Sequence, residues 1–345
     1  MALGKEVAEY MKKLRRVCVP KLTYEALDFG PAWGAALKGK GLLDCTWSEI
    51  LWAAITVGKR SIFDVCQYNN YSLYEMVTRV SMLRATLRED ATSQKLMRTD
   101  IYNLLDPSEK NAFSYFQGLV TSKLLASKLL DTTWLMHLDV YQKDYNIILP
   151  KSRPDFIGRN NRDEWIILEA KGRSNAFSNE AQTKAKDQTR QLRKVDGKFP
   201  VLRAAVQSYF TSTGGFRCKI TDPEEYDKNA FDMTIDKKIF IKNYYAPILN
   251  FFDEKNENII KHSNSYKLVE IKELDLTIGV ATPVYDLLGE GPNSFGKLEE
   301  IILKEALTTE YNDNKSAFVG NDGVVIITGN SWNTKNMSLE PEKRE

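Results

Sequence analysis

The sequence predicts an α/β protein whose central layer is a mixed β-sheet, and two observations lead to this fold class. Near residue 132 the apolar residues change from the three- and four-residue spacing of helices to the short apolar runs of strands. One helix precedes these strands, and a further helix and strand follow them, an order that indicates an α/β layer. The length of 345 residues allows about two domains.

The first 105 residues are predicted to be mainly helical. Residues 44–49 have the composition of a capped helix start, and a second helical pattern covers residues 72–88. Asp106 and Pro107 then mark a break before a helix over 108–130, which carries Phe113 and Phe116 on one face. We interpret this region as a module that recruits a partner or substrate, because it has no clustered acids and no His/Cys sets.

The strands and helices that follow complete the sheet and an extension. Strands are predicted at 134–141, 146–149, 155–158, 165–170 and 201–210, with a helix over 178–195. A helix at 238–252 and strands at 266–271, 276–281 and 323–328 follow in a more acidic, Asn-rich part of the chain. The predicted regions are therefore a helical region 1–105, a core 106–215, an α+β extension 216–330 and a flexible tail 331–345.

Composition excludes several classes of protein. The four cysteines are widely spaced without a CxxC pair, which argues against a zinc ribbon and indicates a reducing compartment. Only His137 and His262 are available for His-dependent catalysis, and His137 lies in an apolar run that predicts a packed core residue. No uncharged stretch reaches the ~18–20 residues of a membrane span, so we expect a cytoplasmic protein with no membrane partner.

The net charge of +2 identifies no partner, but the basic residues are unevenly distributed. Residues 151–203 contain 13 Lys and Arg against 7 Asp and Glu, whereas residues 216–345 contain 16 against 23. A local basic excess is the electrostatic feature that attracts phosphates. On charge alone, the simpler interpretation is a solvated helix face.

The most informative segment is a predicted β-hairpin in residues 153–172. If its turn is centred on Arg162, antiparallel pairing places opposite each other residues whose numbers sum to 324, as those of Asp155 and Glu169 do. Side chains directly across such a pair lie about 5 Å apart on one face. Two carboxylates this close repel each other unless a cation or a proton lies between them, and their oxygens suit Mg²⁺ or Mn²⁺.

Strand alternation places Lys171 on the same face as Glu169. A lysine there is a point charge that can hold a phosphate oxygen or position a water, and the Ala170 carbonyl is a further candidate metal ligand. A metal, a lysine and a water together make a phosphodiester-hydrolysis site. The competing interpretation is a surface hairpin with a cross-strand ion pair. A similar Glu-x-Lys element at Glu270 and Lys272 has no Pro-Asp strand before it, so we expect it to be inert.

The pattern Pro154-Asp155 followed by Glu169-Ala170-Lys171 resembles the PD-(D/E)xK nuclease superfamily. The resemblance covers residues 108–210, about a third of the chain, and includes the order of helix, strand, hairpin, helix and strand. It implies a restriction-endonuclease-like core in which Asp155 and Glu169 bind Mg²⁺ or Mn²⁺ and Lys171 acts at the attacking water and phosphate.

Many members of this superfamily carry a polar residue on the helix after the motif. Gln188 is the first candidate here, because it lies on an otherwise apolar face and requires a polar partner; Gln191 is the second. The Glu that some members carry on the preceding helix is not expected, since the helix over 108–130 has only Glu109, at its start. Candidate phosphate contacts are Arg153, Arg159, Arg173, Lys184, Lys186, Arg190, Arg193 and Lys194.

The leading hypothesis is a metal-dependent nuclease acting on DNA, probed by cleavage in the presence of divalent cations. The alternatives are a nucleic-acid-binding subunit without catalysis, a nuclease of the same fold that acts on RNA, and a scaffold whose helical half binds a partner. The resemblance also implies a role in restriction or anti-phage defence, in which such enzymes work with a partner ATPase or other subunit, or as homodimers.

Overall fold

The computed structural model describes residues 19–31, 33–57, 70–139, 149–223, 225–254, 260–262, 266–290 and 316–332. Most of the predicted strand at 146–149 and all but two residues of the predicted tail lie outside the described residues. The described parts are mixed α/β with a large mixed sheet, which confirms the predicted fold class at that level.

Seven α-helices and sixteen strands are formed by the described residues. The helices are α1 Trp47–Thr56, α2 Asn70–Thr86, α3 Asp100–Leu104, α4 Pro107–Leu130, α5 Asn179–Thr189, α6 Lys237–Glu254 and α7 Thr282–Gly289. The strands are β1 Lys21–Leu27, β2 Gly39–Asp44, β3 Leu87–Glu89, β4 Leu96–Arg98, β5 Thr132–His137, β6 Phe156–Asn160, β7 Trp165–Gly172, β8 Leu192–Val195, β9 Leu202–Phe210, β10 Phe216–Thr221, β11 Phe231–Met233, β12 Ile260–His262, β13 Tyr266–Ile271, β14 Leu276–Ala281, β15 Ala317–Val319 and β16 Val324–Thr328.

The large sheet has seven strands in the order β2-β1-β10-β9-β7-β6-β5. β7 is parallel to β9, and β1 is parallel to β10, while the other neighbours are antiparallel. The first six residues of β7 are buried, as its continuous apolar run predicts for a central strand. β7 therefore leaves the packed core only at its last two residues, Lys171 and Gly172, which are half-buried.

A second sheet of five antiparallel strands has the order β12-β13-β14-β16-β15. α1 packs against β15 and β16 on one side and against α4 on the other, so the two sheets share one hydrophobic core. Thr46 caps the start of α1, because its side chain accepts a hydrogen bond from the Glu49 amide, as the capped helix start in the sequence predicted. Among the described helices, none combines the length and hydropathy needed to cross a membrane.

The described part of residues 1–105 contains the predicted helices and also strands that were not predicted. β1 and β2 lie in the large sheet, and β1 pairs with β10, which belongs to the predicted extension 216–330. Lys21–Leu27 alternates between half-buried and buried residues, the two-residue period of a strand. The large sheet therefore takes strands from three of the four predicted regions, because strand pairing joins segments that are distant in sequence.

The predicted helix over 178–195 is also too long. α5 ends at Thr189, and Leu192–Val195 forms β8, which pairs in parallel with β11. Leu192 and Val195 are buried, and their three-residue spacing is equally consistent with a helix. Only the partner strand, some forty residues further along the chain, selects the extended conformation. Arg193 and Lys194 therefore lie on a strand and not on the helix.

Candidate active site

The hairpin of β6 and β7 has the register that the sequence predicts. Phe156 pairs with Leu168 at the outer end of the ladder. One step beyond that pair, the same register places Asp155 opposite Glu169. The turn is closed by Asn160, whose side-chain oxygen accepts from the Arg162 amide at 3.0 Å and from the Glu164 amide at 2.9 Å. The predicted register is therefore confirmed for Phe156–Arg159 with Trp165–Leu168, and Asp155 and Glu169 are the next residues beyond this ladder.

The two carboxylates are linked through main-chain amides. The Asp155 amide donates to Glu169 Oε2 at 2.7 Å, and the Ala170 amide donates to Asp155 Oδ2 at 3.0 Å. Each carboxylate is thus held in place by the other strand of the hairpin. Glu169 is fully buried, whereas the Asp155 side chain is 21 % exposed, so the pair meets solvent on the Asp155 side.

Burial, and to a lesser extent the charge of Asp155, raises the pKa of Glu169 to about 8. The ion pair of Lys171 with Glu169 Oε1 lowers the pKa of Glu169, but by less than burial raises it. A buried anion with a raised pKa is one that a further cation would stabilise. The electrostatics of the pair therefore favour a bound cation or a retained proton.

Lys171 lies on the same face as Glu169, as strand alternation predicts. Its Nζ donates to Glu169 and, at 2.9 Å, to Gln188 Oε1, while the side chain keeps 27 % of its surface exposed. Gln188 Nε2 donates to the Arg153 main-chain oxygen at 3.1 Å. Gln188 is therefore the residue of α5 that faces the carboxylates, whereas Gln191 bonds within its own segment to the Asp187 oxygen.

Helices α4 and α5 cover opposite faces of β7. Gly172 points away from the Lys171 face, and a Cβ added to Gly172 would lie 1.7 Å from the Ser114 oxygen of α4. Gly118 of α4 approaches the same point, since its added Cβ would lie 2.8 Å from the Gly172 nitrogen. This close approach explains the glycine after Lys171 and places Tyr115 of α4 beside the end of β7.

Three residues near the carboxylates were not predicted as site residues. Burial, together with the charges of Asp155, Asp139 and Glu169, raises the pKa of Tyr115 to about 12, and the Tyr115 residue is 44 % exposed. His137, predicted to be packed, is buried against Phe156, and its Nε2 lies 3.8 Å from Asp155 Oδ1. Asp139 forms an ion pair with Arg153.

One sequence signal identifies two of these residues. Adjacent antiparallel strands bring the end of β5 beside the start of β6, and the Leu138 amide indeed donates to the Asp155 oxygen at 2.7 Å. The position of Asp139 and His137 next to Asp155 follows from that pairing. No sequence pattern indicates Tyr115, because its position depends on how α4 crosses β7.

Arg159 does not belong to a nucleic-acid surface. Its side chain is fully buried, forms an ion pair with Asp163, and lies over the rings of Trp134 and Trp165 at 5.7 and 5.5 Å. A fully buried guanidinium cannot reach a phosphate. The prediction for Arg159 is therefore corrected to a packing role, which its place in a charged turn had obscured.

Several other predicted phosphate contacts are already paired with acids or main-chain oxygens. Lys186 and Arg190 border a cavity of about 320 Å³ together with Asp28, Asp222 and Glu225, an unfavourable setting for a phosphate. The observed pairs are Arg153 with Asp139, Lys186 with Asp28 at 3.2 Å, Arg190 with the Glu225 oxygen at 3.1 Å, and Arg193 with Asp232 at 2.8 Å.

The remaining basic candidates are Lys184, Arg173 and Lys194. Lys184 is exposed on α5, Arg173 is half-buried next to β9, and the Lys194 Nζ lies 4.7 Å from the centre of the Phe199 ring. The eight predicted contacts therefore do not form one continuous basic surface. Phosphate binding near the carboxylates would depend on Lys171 and on few other cations.

The carboxylate pair fits a magnesium ion better than a transition metal. Mg²⁺ is usually held by one or two carboxylates, with waters and substrate phosphates completing the shell. Asp155 and Glu169 supply such a pair. The Ala170 amide donates to Asp155, and the carbonyl of the same residue points to the same side of the strand. Within the described ranges no group of three or more His, Cys, Asp or Glu is placed to hold a metal.

No known protein family, curated protein or solved structure matches this chain. Its function is therefore argued from the geometry of Asp155, Glu169, Lys171 and Gln188 alone.

Proposed function

We propose that the protein is a metal-dependent nuclease that hydrolyses phosphodiester bonds of DNA. One observation carries the proposal. Asp155, Glu169, Lys171 and Gln188 form a continuous chain of contacts at the end of β7, where the buried strand reaches solvent. If the Lys171–Glu169 ion pair only stabilised the fold, it would not require a second carboxylate, Asp155, beside the buried Glu169. The strands β5, β6, β7 and β9 with α4 and α5 would then form a restriction-endonuclease-like core.

Asp155 and Glu169, with the Ala170 carbonyl, would hold Mg²⁺ or Mn²⁺. When bound, the ion would supply a Lewis acid for the phosphate and lower the pKa of a water. Lys171 is held between Glu169 and Gln188, so its ammonium is positioned to hold a phosphate oxygen or to orient the water. Hydrolysis adds the elements of water across one ester P–O bond and yields a phosphomonoester and an alcohol.

The test is cleavage of plasmid and oligonucleotide DNA by the full chain in Mg²⁺ or Mn²⁺, with an EDTA control. We expect Asp155→Ala, Glu169→Gln and Lys171→Ala each to abolish turnover, while Asp155→Ala and Glu169→Gln leave DNA binding intact or tighter, since each removes an anion. Lys171→Ala should retain the metal, because the lysine is not a ligand. Glu270→Gln and Lys272→Ala, which alter a similar element at the end of β13, are the matched controls and should keep full activity.

Metal binding provides a readout that does not require activity. Mn²⁺ should raise the melting temperature of the wild type and of Lys171→Ala, but not that of Asp155→Ala. Cleavage that persists in EDTA, or that survives all three substitutions, would contradict the proposal. Cleavage of RNA but not DNA by the same residues would keep the chemistry and change the substrate.

A further inference from the structure

Two exposed aromatic rings stack on each other outside the candidate active site. The rings of Phe199 and Tyr226 lie 5.6 Å apart at an angle of 22°. Phe199 is 53 % exposed and Tyr226 is 39 % exposed. A stacked pair of this kind normally buries its apolar faces, so its exposure marks a surface that can take up another flat group.

The two outer faces of this Phe199–Tyr226 pair are different. Behind Tyr226, the Arg203 guanidinium lies 5.5 Å from the ring, and it is buried and fixed by a bond of 2.9 Å to the Leu192 oxygen. The Lys194 ammonium lies 4.7 Å from the centre of the Phe199 ring. Lys194 has no ion pair among the described residues, so it is free to move aside. Phe199 therefore presents the face that a ligand can occupy.

The pair lies on the same side of the sheet as the candidate active site. Arg203, which backs Tyr226, pairs with Ile167, and Ala205, two residues further along β9, pairs with Glu169. Alternate residues of a strand share a face, so Arg203 and Glu169 point to the same side, about 7 Å apart along the strands. Gln188 and Arg190 link the two places, because Arg190 donates to the main-chain oxygen of Glu225, the neighbour of Tyr226.

The charges around the pair suit a nucleotide of a single strand. Arg193 is held by both oxygens of Asp232, and Lys186 is held by Asp28. Lys194 and the exposed Lys198 and Lys228 have no ion pair among the described residues. These lysines can hold a backbone phosphate, while the rings offer stacking, which every nucleobase can provide and which tolerates any sequence. In a duplex the base faces are covered by neighbouring pairs, so an unpaired base is the form that fits.

We propose that the Phe199–Tyr226 pair is a stacking platform for an unpaired base of single-stranded DNA. The base lies on the outer face of Phe199 in place of the Lys194 ammonium, which turns to the adjacent phosphate. The choice of a nucleic acid rests on the proposed nuclease function. The consequence is a preference for single-stranded, frayed or gapped DNA.

The test measures binding of a fluorescein-labelled 15-nucleotide dT strand, and of a 15-base-pair duplex, to the full chain in EDTA. We expect Phe199→Ala to weaken binding of the single strand about tenfold, the size of one lost base–aromatic stack, and to leave duplex binding unchanged. Phe199→Trp should retain or tighten binding of the single strand. Tyr74→Ala, which removes another exposed aromatic, on α2, is the matched control and should have no effect.

The melting temperatures of these variants should equal that of the wild type, because Phe199 is more than half exposed. Equal binding of the single strand by wild type and Phe199→Ala, or no binding by the wild type, would overturn the platform. Plasmid cleavage in Mg²⁺ is measured separately. If the wild type cleaves DNA but Phe199→Ala binds the single strand as tightly as the wild type, only the platform is rejected. If binding of the single strand depends on Phe199 but no metal-dependent cleavage occurs, only the nuclease is rejected.

Discussion

Lys171 and Lys123 each lie near a buried carboxylate, and the surroundings of the two lysines differ. Lys171 meets Glu169 at the end of β7, where Lys171 and Asp155 both remain partly exposed. Lys123 of α4 lies near Asp322, in the turn between β15 and β16, and both residues are fully buried. The first group, Lys171, Glu169 and Asp155, is reached by solvent on one side, and we call it the open group. The second group, Lys123 and Asp322, is buried on every side, and we call it the closed group.

The closed group is satisfied internally. Lys123 Nζ donates to the Tyr244 hydroxyl at 3.0 Å, and that hydroxyl donates to Asp322 Oδ2 at 2.6 Å. Trp52 Nε1 donates to Asp322 Oδ1 at 3.0 Å, and the Val324 amide donates to the same oxygen. Burial lowers the pKa of Lys123 to about 8 and raises that of Asp322, while the opposite charge of each partner counteracts both shifts.

Access to solvent distinguishes an ion pair that stabilises the fold from one that can take part in a reaction. In the closed group the bonds to Asp322 join α1, α6 and the β15–β16 turn, so its role is to dock the second sheet on the first. In the open group the Glu169 carboxylate has a raised pKa and an accessible neighbour, so it has room for an added cation. Burial alone does not distinguish the two groups; access does.

The largest expected effect on stability comes from breaking the closed group. Asp322→Asn leaves the Lys123 ammonium buried without its counter-charge, and we expect a loss of about 3–5 kcal/mol in the free energy of unfolding. Urea denaturation of the full chain measures it. The double variant Lys123→Met with Asp322→Asn should recover part of the loss, since no buried charge remains. Equal stability of the wild type and Asp322→Asn would refute the structural role.

A smaller effect is expected from Gln188, which positions the lysine of the open group. Gln188→Leu removes the acceptor for Lys171 and should lower the rate of DNA cleavage by about 10–100-fold, as the loss of a supporting hydrogen bond does in metal sites. Gln191→Leu is the matched control, because the Gln191 side chain donates to the Asp187 oxygen of its own segment and not to the site. Rescue by Gln188→Glu, which keeps an acceptor oxygen, would support positioning; equal rates for both leucine variants would contradict it.

A pH-dependent effect on stability is expected at Glu169. Its folded pKa of about 8 lies above the unfolded value, so the unfolded chain loses this proton first as the pH rises. The wild type should therefore lose stability between about pH 4.5 and pH 8 through this group, whereas Glu169→Gln does not ionise there. Melting temperatures at pH 5 and pH 9, without metal, should show the variant gaining relative to the wild type at pH 9. The same difference at both pH values would show that Glu169 does not titrate in this range.

The smallest effect concerns the basic candidates. Lys184 is exposed on α5, so Lys184→Ala should reduce the slope of log affinity against log salt for DNA by about 1. Arg159→Met, which replaces a buried guanidinium, should leave that slope unchanged and alter stability instead. If Arg159→Met lowered the salt slope and Lys184→Ala did not, the assignment of the two residues would be reversed.

Local patterns predicted much of the secondary structure and part of the site. Tyr266–Ile271 and Leu276–Ala281 have the predicted bounds, and α4 begins one residue from its predicted start. The resemblance pointed to a polar residue on the helix after the motif, and Gln188 was chosen because a polar side chain on an apolar helix face requires a partner. The structure supplies Lys171 as that partner. The helical prediction for residues 192–195 failed because both conformations bury Leu192 and Val195.

The sequence by itself determined the register of the β6–β7 hairpin. Both faces of β7 are buried, so a shift of one residue would leave its apolar side chains buried on either face. The length of the polar turn at residues 160–164 sets the pairing instead, and it brings Asp155 and Glu169 together. Only the tertiary structure placed β1 beside β10, brought Tyr115 to the carboxylates and buried Arg159. It also joined Trp52 to Asp322 across 270 residues. Such contacts depend on how distant segments pack, and no local spacing encodes them.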